Sequence, residues 1–193
     1  SNPKENLLIS IFLNLDLNIE NSFILNQLAS LAVLDTLKNF LEQKIEIKWP
    51  NDVYTDNKKI SGILINNIVK GGIINSSVIG IGINVNQTNF NKKYIATSLK
   101  LLNKKDFELN EIEKVLMKNI KKQSMILFDE KISLLSSRYN NHLYRKNQDS
   151  LFILNKKRIY AQIIEVNQNG KIKLMFGDGE VNEFSKGEVK LLR

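Results

Sequence analysis

The sequence predicts a larger domain of mixed helices and strands, followed by a small all-β module. Short β-forming segments separated by turn residues fill much of the first 90 residues. Leucines recur at helical spacing between Leu28 and Leu41. After Leu151 the chain contains short strand segments with the hairpin signals Asn169-Gly170 and Asp178-Gly179. Helices therefore belong to the first part, and the last part is a small barrel.

The predicted elements follow one another with clear turn signals. The first half begins with a strand over Asn6–Leu15 and a helix that is capped by Asn21-Ser22 and ends near Gln43. A strand over Lys44–Trp49 follows, with Ile45 and Ile47 inward. Two more strands cover Lys59–Asn66, after the turn Asp56-Asn57, and Val78–Asn86, after the turn Gly71-Gly72. In the second half the predicted elements are a helix with the capping pair Asn110 and Glu113 and the apolar face Ile112, Val115, Leu116 and Ile120, a further helix to about Tyr139, and the strands of the tail.

Composition narrows the classes of function. The chain of 193 residues is 42% hydrophobic and 25% charged, which is typical of a globular protein. No apolar run approaches the roughly 18 residues that span a bilayer, so we expect no membrane partner. The absence of cysteine excludes disulfides and thiol catalysis and fits a cytoplasmic location. The lone histidine, His142, excludes a multi-His metal site, so a metal site would rest on Asp, Glu or Asn oxygens, which suit Mg²⁺.

The net charge of +8 raises the question of nucleic-acid binding. The basic residues are spread along the chain instead of being concentrated in an arm or stripe. This distribution favours a solvated basic surface, and we expect no nucleic-acid partner.

The segment VIGIGINVN, Val78 to Asn86, has two different faces. Ile79, Ile81 and Ile83 form a core face, whereas Gly80 and Gly82 lie on the other. Two glycines on one face weaken a strand, unless a ligand or a packed helix must approach the backbone closely. The segment by itself leaves both explanations open.

Two further segments carry polar side chains beside small residues. In KWPNDVY, the residue before Pro50 is held extended, so Asn51 and Asp52 project from a strand end. They suit a nucleotide or an Mg²⁺–phosphate, or form an Asx turn beside a structural Trp49. In NKKISGIL, Lys59 precedes a strand opened by small residues, where it faces a buried anion or remains a solvated turn lysine. Three such features on successive strands favour one shared surface.

These three motifs resemble those of the biotin protein ligase family. KWPND, KISGIL and GIGINVN occur in that order without a gap inside any motif. Further similar segments are SNPKENLLIS at the start, ATSL at Ala96–Leu99, HLYR at His142–Arg145 and GEVKLLR at the end. The resemblance implies an α+β fold with a class II synthetase-like mixed sheet flanked by helices over residues 1–148. It also implies a C-terminal SH3-like barrel over residues 149–193.

The resemblance implies a two-step ligation. Biotin reacts with ATP, accompanied by Mg²⁺, to give biotinyl-5'-AMP and pyrophosphate, and a lysine of a biotin carboxyl carrier protein then takes the biotinyl group. Lys59 corresponds to the family's essential lysine, which contacts biotin and the adenylate. Gly62 corresponds to the backbone against the biotin ring, and the resemblance implies that Ser61 beside it also belongs to the biotin-binding part.

The other site residues follow from the same motifs. Asn51 and Asp52 match the residues on the side of the nucleotide and the acceptor lysine, where Asp52 holds Mg²⁺ or orients the incoming amine. Asn84 matches the residue near the phosphates, and Lys48 and Trp49 line the nucleotide-binding part of the site.

Alternatives and departures remain. The family's Gly/Arg-rich loop would precede Ser1, so we expect the biotin pocket of these residues to be incomplete. A lipoate-protein ligase shares the fold and a catalytic lysine, but KWPND with GIGINVN favours biotin. A non-catalytic nucleic-acid-binding module and a non-enzymatic interaction domain are the other classes. A homodimer made by sheet extension is left open.

Overall fold

The computed structural model describes residues 5–91, 95–128 and 131–192. The first four residues of the predicted entry motif SNPKENLLIS and the final arginine of GEVKLLR lie outside the described residues. Buried apolar side chains from both parts of the chain form one continuous core, which extends from Leu7 in the first strand to Val189 in the last.

The first part of the chain builds a five-stranded sheet in the order β1-β5-β4-β3-β2. Its strands are β1 (Asn6–Asn18), β2 (Ile45–Lys48), β3 (Asp52–Thr55), β4 (Lys58–Lys70) and β5 (Ile73–Asn84). All pairings between these named strands are antiparallel, and parallel pairing in the described residues is confined to isolated bridges such as Ile47 with Leu143.

Each predicted strand is present, but β4 continues to Lys70 beyond the predicted Asn66, β5 begins at Ile73 before the predicted Val78, and β3 is additional. Asp56-Asn57 and Gly71-Gly72 form the predicted turns, and all four residues adopt positive φ. β3 was not predicted, because its first residue, Asp52, was assigned to a turn. The strand forms because Val53 pairs with Ile47 and with Ser61 across both edges and is buried.

The described residues contain four α-helices, of which the first packs against the sheet. They are α1 (Ile24–Leu37), α2 (Leu99–Asn103), α3 (Leu109–Phe128) and α4 (Ile132–Asn141). α1 is buried on almost every side, since the sheet lies on one side and α3 and α4 lie on the other. α3 buries Ile112, Leu116 and Ile120 along the predicted face, with Val115 half-buried.

Three predictions about helix termini are wrong. Asn18 caps a short 3₁₀ turn at Ile19–Asn21, and the N-cap position of α1 is Phe23 instead of Asn21-Ser22. α1 ends at Leu37 and not near Gln43, and the Asn39 side chain donates to the backbone carbonyl of Asp35 at 2.8 Å just after this end. The capping pair in α3 is also wrong, since Asn110 already lies inside the first turn.

The C-terminal part forms a second antiparallel sheet in the order β10-β6-β7-β8-β9. Its strands are β6 (Asp149–Leu154), β7 (Lys157–Val166), β8 (Ile172–Phe176), β9 (Val181–Phe184) and β10 (Val189–Leu191). Gly170 and Gly179 occupy the predicted hairpin turns with positive φ. The α+β fold class with a small C-terminal β-module is confirmed, whereas the division into domains at residue 148 stays a prediction.

Among the described residues, no helix combines the length and the apolar character that crossing a bilayer requires. The expected cytoplasmic location stays a prediction.

Candidate active site

The turn between β2 and β3 is fixed to β4 by its own backbone and by one side chain. The Asn51 side chain donates to the carbonyl oxygen of Ile63 at 2.6 Å, and the Ile63 amide donates to the Asn51 carbonyl at 2.9 Å. Asp52 then begins β3 directly opposite Gly62. Because both bonds are made to one strand, Asn51 and Asp52 have a defined position at the sheet surface.

Lys59 lies on the same face as Gly62 because the strand pairing is irregular. Tyr54 pairs with Lys59, but the preceding Val53 pairs with Ser61, so Ile60 is an extra residue. An extra residue of this kind reverses the alternation of side chains. The Lys59 side chain therefore extends along the strand over Gly62, although the two residues are three apart and regular alternation would separate them.

The Lys59 ammonium forms an ion pair with Asp52. The distance from Nζ to the Oδ1 oxygen is 2.5 Å, and the two side chains are 40% and 26% exposed. A partly exposed pair of this kind stabilises the fold by at most about 1 kcal/mol. An anionic ligand can therefore compete for Lys59 at a small cost in stability.

Beside this ion pair lies a floor made of three glycines on adjacent strands. Gly62 pairs with Gly82, and Gly80 pairs with Leu64, so the backbone is bare over this area. The exposed side chains of Leu8 and Leu64 flank the floor. The resulting open cavity has a volume of about 430 Å³ and includes Asn51, Asp52 and Lys59 in its lining.

The shape and charge of this cavity suit one kind of ligand. A bare backbone floor allows the close approach of a flat ring, apolar walls hold hydrocarbon, and Lys59 supplies a positive charge at one end. Of the predicted site residues, Asn51, Asp52, Lys59 and Gly62 are brought together here.

Ser61 does not share this cavity. Its side chain is on the opposite face, 1% exposed, and its hydroxyl donates to the carbonyl oxygen of Gly82 at 2.7 Å. Simple alternation places Ser61 with Lys59, and the extra residue Ile60 is the reason that the structure separates them. In this arrangement Ser61 links β4 to β5 beneath the glycine floor.

Lys48 and Trp49 line a second cavity, of about 220 Å³, between the two sheets. The Lys48 ammonium lies 5.1 Å from the centre of the Tyr54 ring. Of the predicted site residues that the structure describes, Asp52 lines both cavities and so connects them. The role of Lys48 and Trp49 in nucleotide binding stays a prediction.

Asn84 contacts the segment of chain that pairs with Lys59. Its side chain donates to the carbonyl oxygen of Thr97 at 3.0 Å. The backbone amide of Thr97 in turn donates to the carbonyl of Lys59 at 2.9 Å, and the Lys59 amide donates to Ile95 at 3.0 Å. Asn84 thus holds the segment that fixes the Lys59 backbone, and its predicted contact with phosphates stays a prediction.

Two contacts with the β2–β3 turn were not predicted from the sequence. The Tyr139 hydroxyl, on α4, donates to the Pro50 carbonyl at 3.2 Å, and complete burial raises the pKa of this phenol far above its ordinary value. The Trp49 indole N–H donates to the Gly170 carbonyl at 2.9 Å. No local pattern signals either contact, because the partners are far apart in the chain.

The predicted Mg²⁺ ligand has a different partner here. Asp52 directs its carboxylate at Lys59, and the described residues contain no group of three His, Cys, Asp or Glu side chains that could hold a metal ion. Mg²⁺ in nucleotide sites commonly takes one or two carboxylates together with substrate phosphates and water. Asp52 alone therefore does not make a Mg²⁺ site, and its role as a metal ligand stays a prediction.

Comparison with known families supports a ligase-type fold. Residues 1–84 match the model of the biotin/lipoate A/B protein ligase family. A bifunctional ligase/repressor, BirA, of Escherichia coli is 23% identical over 188 residues, covering 96% of this chain and 58% of that protein. BirA of Bacillus subtilis is 38% identical over 79 residues, covering 41% of this chain and 24% of that protein. The chain therefore spans little more than half the length of the Escherichia coli relative.

Solved structures share the fold over nearly the whole chain. The biotin protein ligase from Aquifex aeolicus in complex with biotin and ATP is 26% identical, with a TM-score of 0.79. The alignment covers 98% of this chain and 79% of that one. It includes the second sheet, which agrees with the predicted fold class.

Proposed function

We propose that this chain is a biotin protein ligase and that it joins biotin to a lysine of a biotin carboxyl carrier protein at the expense of ATP. In the first step, a biotin carboxylate oxygen attacks the α-phosphorus of ATP, and pyrophosphate leaves. In the second, the amine of the carrier lysine attacks the acyl carbon of biotinyl-5'-AMP. AMP leaves with the anhydride oxygen, and the amine loses a proton.

The single observation that carries the proposal is the position of the Lys59 ammonium. It lies over Gly62, at the charged end of the glycine-floored cavity. The first step brings a carboxylate and a triphosphate together, and a fixed positive charge lowers the repulsion between them. A planar ureido ring on the glycine floor, with the carboxylate of the biotin side chain at Lys59, matches the shape and the charge of the cavity.

Asp52 is suited to the second step. When an anion takes the Lys59 ammonium, the Asp52 carboxylate loses its partner at the edge of the cavity. It is then free to accept a hydrogen bond from the incoming ammonium of the carrier lysine and to orient the amine. ATP brings Mg²⁺ with its phosphates, which adds positive charge at the nucleotide.

The choice of biotin over lipoate is part of the proposal, since the matching family model includes ligases for both acids. The solved structure with biotin and ATP supports biotin. The carrier protein, the cytoplasmic location and the homodimer stay predictions.

The test is an acylation assay read by mass spectrometry. The chain is incubated with Mg-ATP, a biotin carrier domain and either biotin or lipoate, and the mass of the carrier is measured. We expect a biotin increment that Lys59→Ala abolishes. Lys58→Ala is the matched control, because Lys58 is the exposed neighbour outside the cavity, and it should retain the increment. A lipoate increment, no increment, or an increment that survives Lys59→Ala would overturn the proposal.

A further inference from the structure

The C-terminal sheet makes a direct contact with the turn that carries Asp52. The Trp49 indole N–H donates to the carbonyl oxygen of Gly170, which lies in the turn between β7 and β8. Trp49 is the sole tryptophan of the chain and stands three residues before Asp52. The contact therefore joins the second sheet to the edge of the candidate active site.

The β7–β8 turn, Asn167–Lys171, is held by hydrogen bonds of its own. The Asn167 amide donates to the Lys171 carbonyl at 2.9 Å, and the Gly170 amide donates to the Asn167 carbonyl at 3.0 Å. The Asn167 side chain also accepts from the Lys171 amide at 3.0 Å. Three hydrogen bonds within five residues hold the Gly170 carbonyl in one direction.

Gly170 itself is required at this place. Its φ of +79° is unfavourable for other residues, and a Cβ atom there would approach the Phe23 ring to 2.5 Å. Phe23 packs edge-on against Tyr139, with the ring centres 5.6 Å apart. The close approach of the turn to Phe23 brings the Gly170 carbonyl within reach of Trp49.

Helix α4 contacts both partners. The Tyr139 hydroxyl donates to the Pro50 carbonyl, as described above. The next residue, Asn140, pairs its side-chain amide with the backbone of Val166, at 3.0 Å to the carbonyl oxygen and 2.7 Å from the amide nitrogen. The same helix therefore fixes the Trp49–Pro50 dipeptide and the end of β7 that leads into the turn.

From these contacts we propose that Gly170 and the β7–β8 turn are positioning elements for Asp52, acting through Trp49. The inference rests on the proposed function for its catalytic meaning. Asn51 fixes the turn to β4 on one side, and the second sheet fixes it on the other. The C-terminal sheet then contributes to the alignment of Asp52 without contacting the glycine-floored cavity through this turn.

The test uses two matched glycines. Gly170→Ala introduces both backbone strain and the collision with Phe23. Gly179→Ala, in the β8–β9 turn, introduces the same strain at a φ of +86° but has no neighbour within 4 Å. Trp49→Phe is a second variant that keeps an aromatic ring and removes the indole donor.

Two readouts separate positioning from general stability. The first is the split between kcat and KM in the acylation assay. We expect Gly170→Ala and Trp49→Phe to lower kcat by roughly ten- to a hundredfold with little change in the KM for biotin. Gly179→Ala should keep the wild-type kcat. The double variant should be no worse than the stronger single one, because both remove the same contact.

The second readout does not need activity. Deuterium exchange of peptides covering residues 49–55 should be faster in Gly170→Ala than in Gly179→Ala, and Trp49 fluorescence should shift only in Gly170→Ala. If the wild type acylates neither acid, the proposed function fails, and the exchange and fluorescence data alone decide the positioning contact. Equal behaviour of the two glycine variants, or unchanged kcat and exchange in Trp49→Phe, would overturn the inference.

Discussion

The Lys59 ammonium lies 2.5 Å from the Asp52 carboxylate and directly over the Cα of Gly62, where a Cβ atom would stand 3.0 Å from Nζ. The two opposite charges thus lie within a few ångströms of a residue that has no side chain. The ion pair is exposed enough to be exchanged for a ligand, and the missing side chain leaves Lys59 room to lie flat on the strand. Each of these three residues can be changed separately.

Gly62→Ala should impair ligation more than folding. The added methyl group would displace the end of the Lys59 side chain, which is flexible, so the fold loses little. The displaced ammonium no longer faces the ligand, and we expect kcat/KM to fall about tenfold or more, equivalent to about 1.4 kcal/mol of transition-state stabilisation. Steady-state kinetics and thermal melting measure the two effects.

The control for this substitution is Gly177→Ala, since a Cβ atom at Gly177 meets nothing within 4 Å. It should leave both kinetics and melting unchanged. Full activity of Gly62→Ala would contradict the placement of Lys59 over Gly62 as the ligand-binding arrangement.

Asp52→Asn should separate anion binding from transfer. Removing the carboxylate frees Lys59, so the affinity for a non-hydrolysable biotinyl-AMP analogue should rise, by up to about fivefold if the pair is worth about 1 kcal/mol. Transfer to the carrier lysine should slow by about a hundredfold, because the group that orients the amine has lost its charge. Titration calorimetry and single-turnover transfer measure these quantities.

Asp56→Asn is the matched control for that substitution. Asp56 is an exposed carboxylate in the neighbouring turn, with a φ of +48° that asparagine also adopts readily. Analogue affinity and transfer rate should both stay at wild-type values. Weaker analogue binding in Asp52→Asn would show that Asp52 assists anion binding instead of competing with the anion.

Tyr139→Phe should change how stability depends on alkaline pH. Burial raises the pKa of Tyr139 in the folded protein, whereas an unfolded tyrosine ionises near pH 10. The tyrosine thus contributes its full stability below about pH 10. Above it the unfolded state loses the proton first, and stability falls by about 1.4 kcal/mol per pH unit. Phenylalanine removes this loss and also the bond to Pro50, which costs about 1 kcal/mol at neutral pH.

Urea unfolding at pH 8 and at pH 11 measures this difference. The variant should be less stable than the wild type at pH 8, and the gap should narrow or reverse at pH 11. Tyr160→Phe, at a ring that is 70% exposed, should leave the gap unchanged between the two pH values. A constant deficit of Tyr139→Phe at both pH values would contradict the assigned burial of the phenol.

The sequence predicts the strands and turns that surround the site. Ile45 and Ile47 alternate inward as expected, and Gly71-Gly72 and Asn169-Gly170 mark real turns. These features depend on residues that are close together in the chain, and the sequence pattern predicts such local structure directly. The end of α1 was misplaced, because the leucine pattern continues to Leu41 whereas the chain leaves the helix after Leu37.

The motifs also predict which residues lie close together at the site, but not on which face of the sheet each side chain lies. Asn51, Asp52, Lys59 and Gly62 come together in one cavity. Ser61 was predicted to bind biotin with Lys59 and Gly62, but its side chain lies on the opposite face, since the extra residue Ile60 separates it from Lys59. A strand segment read in isolation has a regular alternation, and the irregularity becomes visible only when its pairing partner is known.

By itself, the sequence determined the family of motifs, the run of strands and the chemical character of the site. Only the tertiary structure decided that Lys59 lies over Gly62, that Asp52 holds Lys59, and that Trp49 bonds to Gly170, a residue 121 positions away. The physical reason is distance along the chain. Alternation and turns arise from adjacent residues, whereas these contacts arise where strands pair and where two sheets share one core.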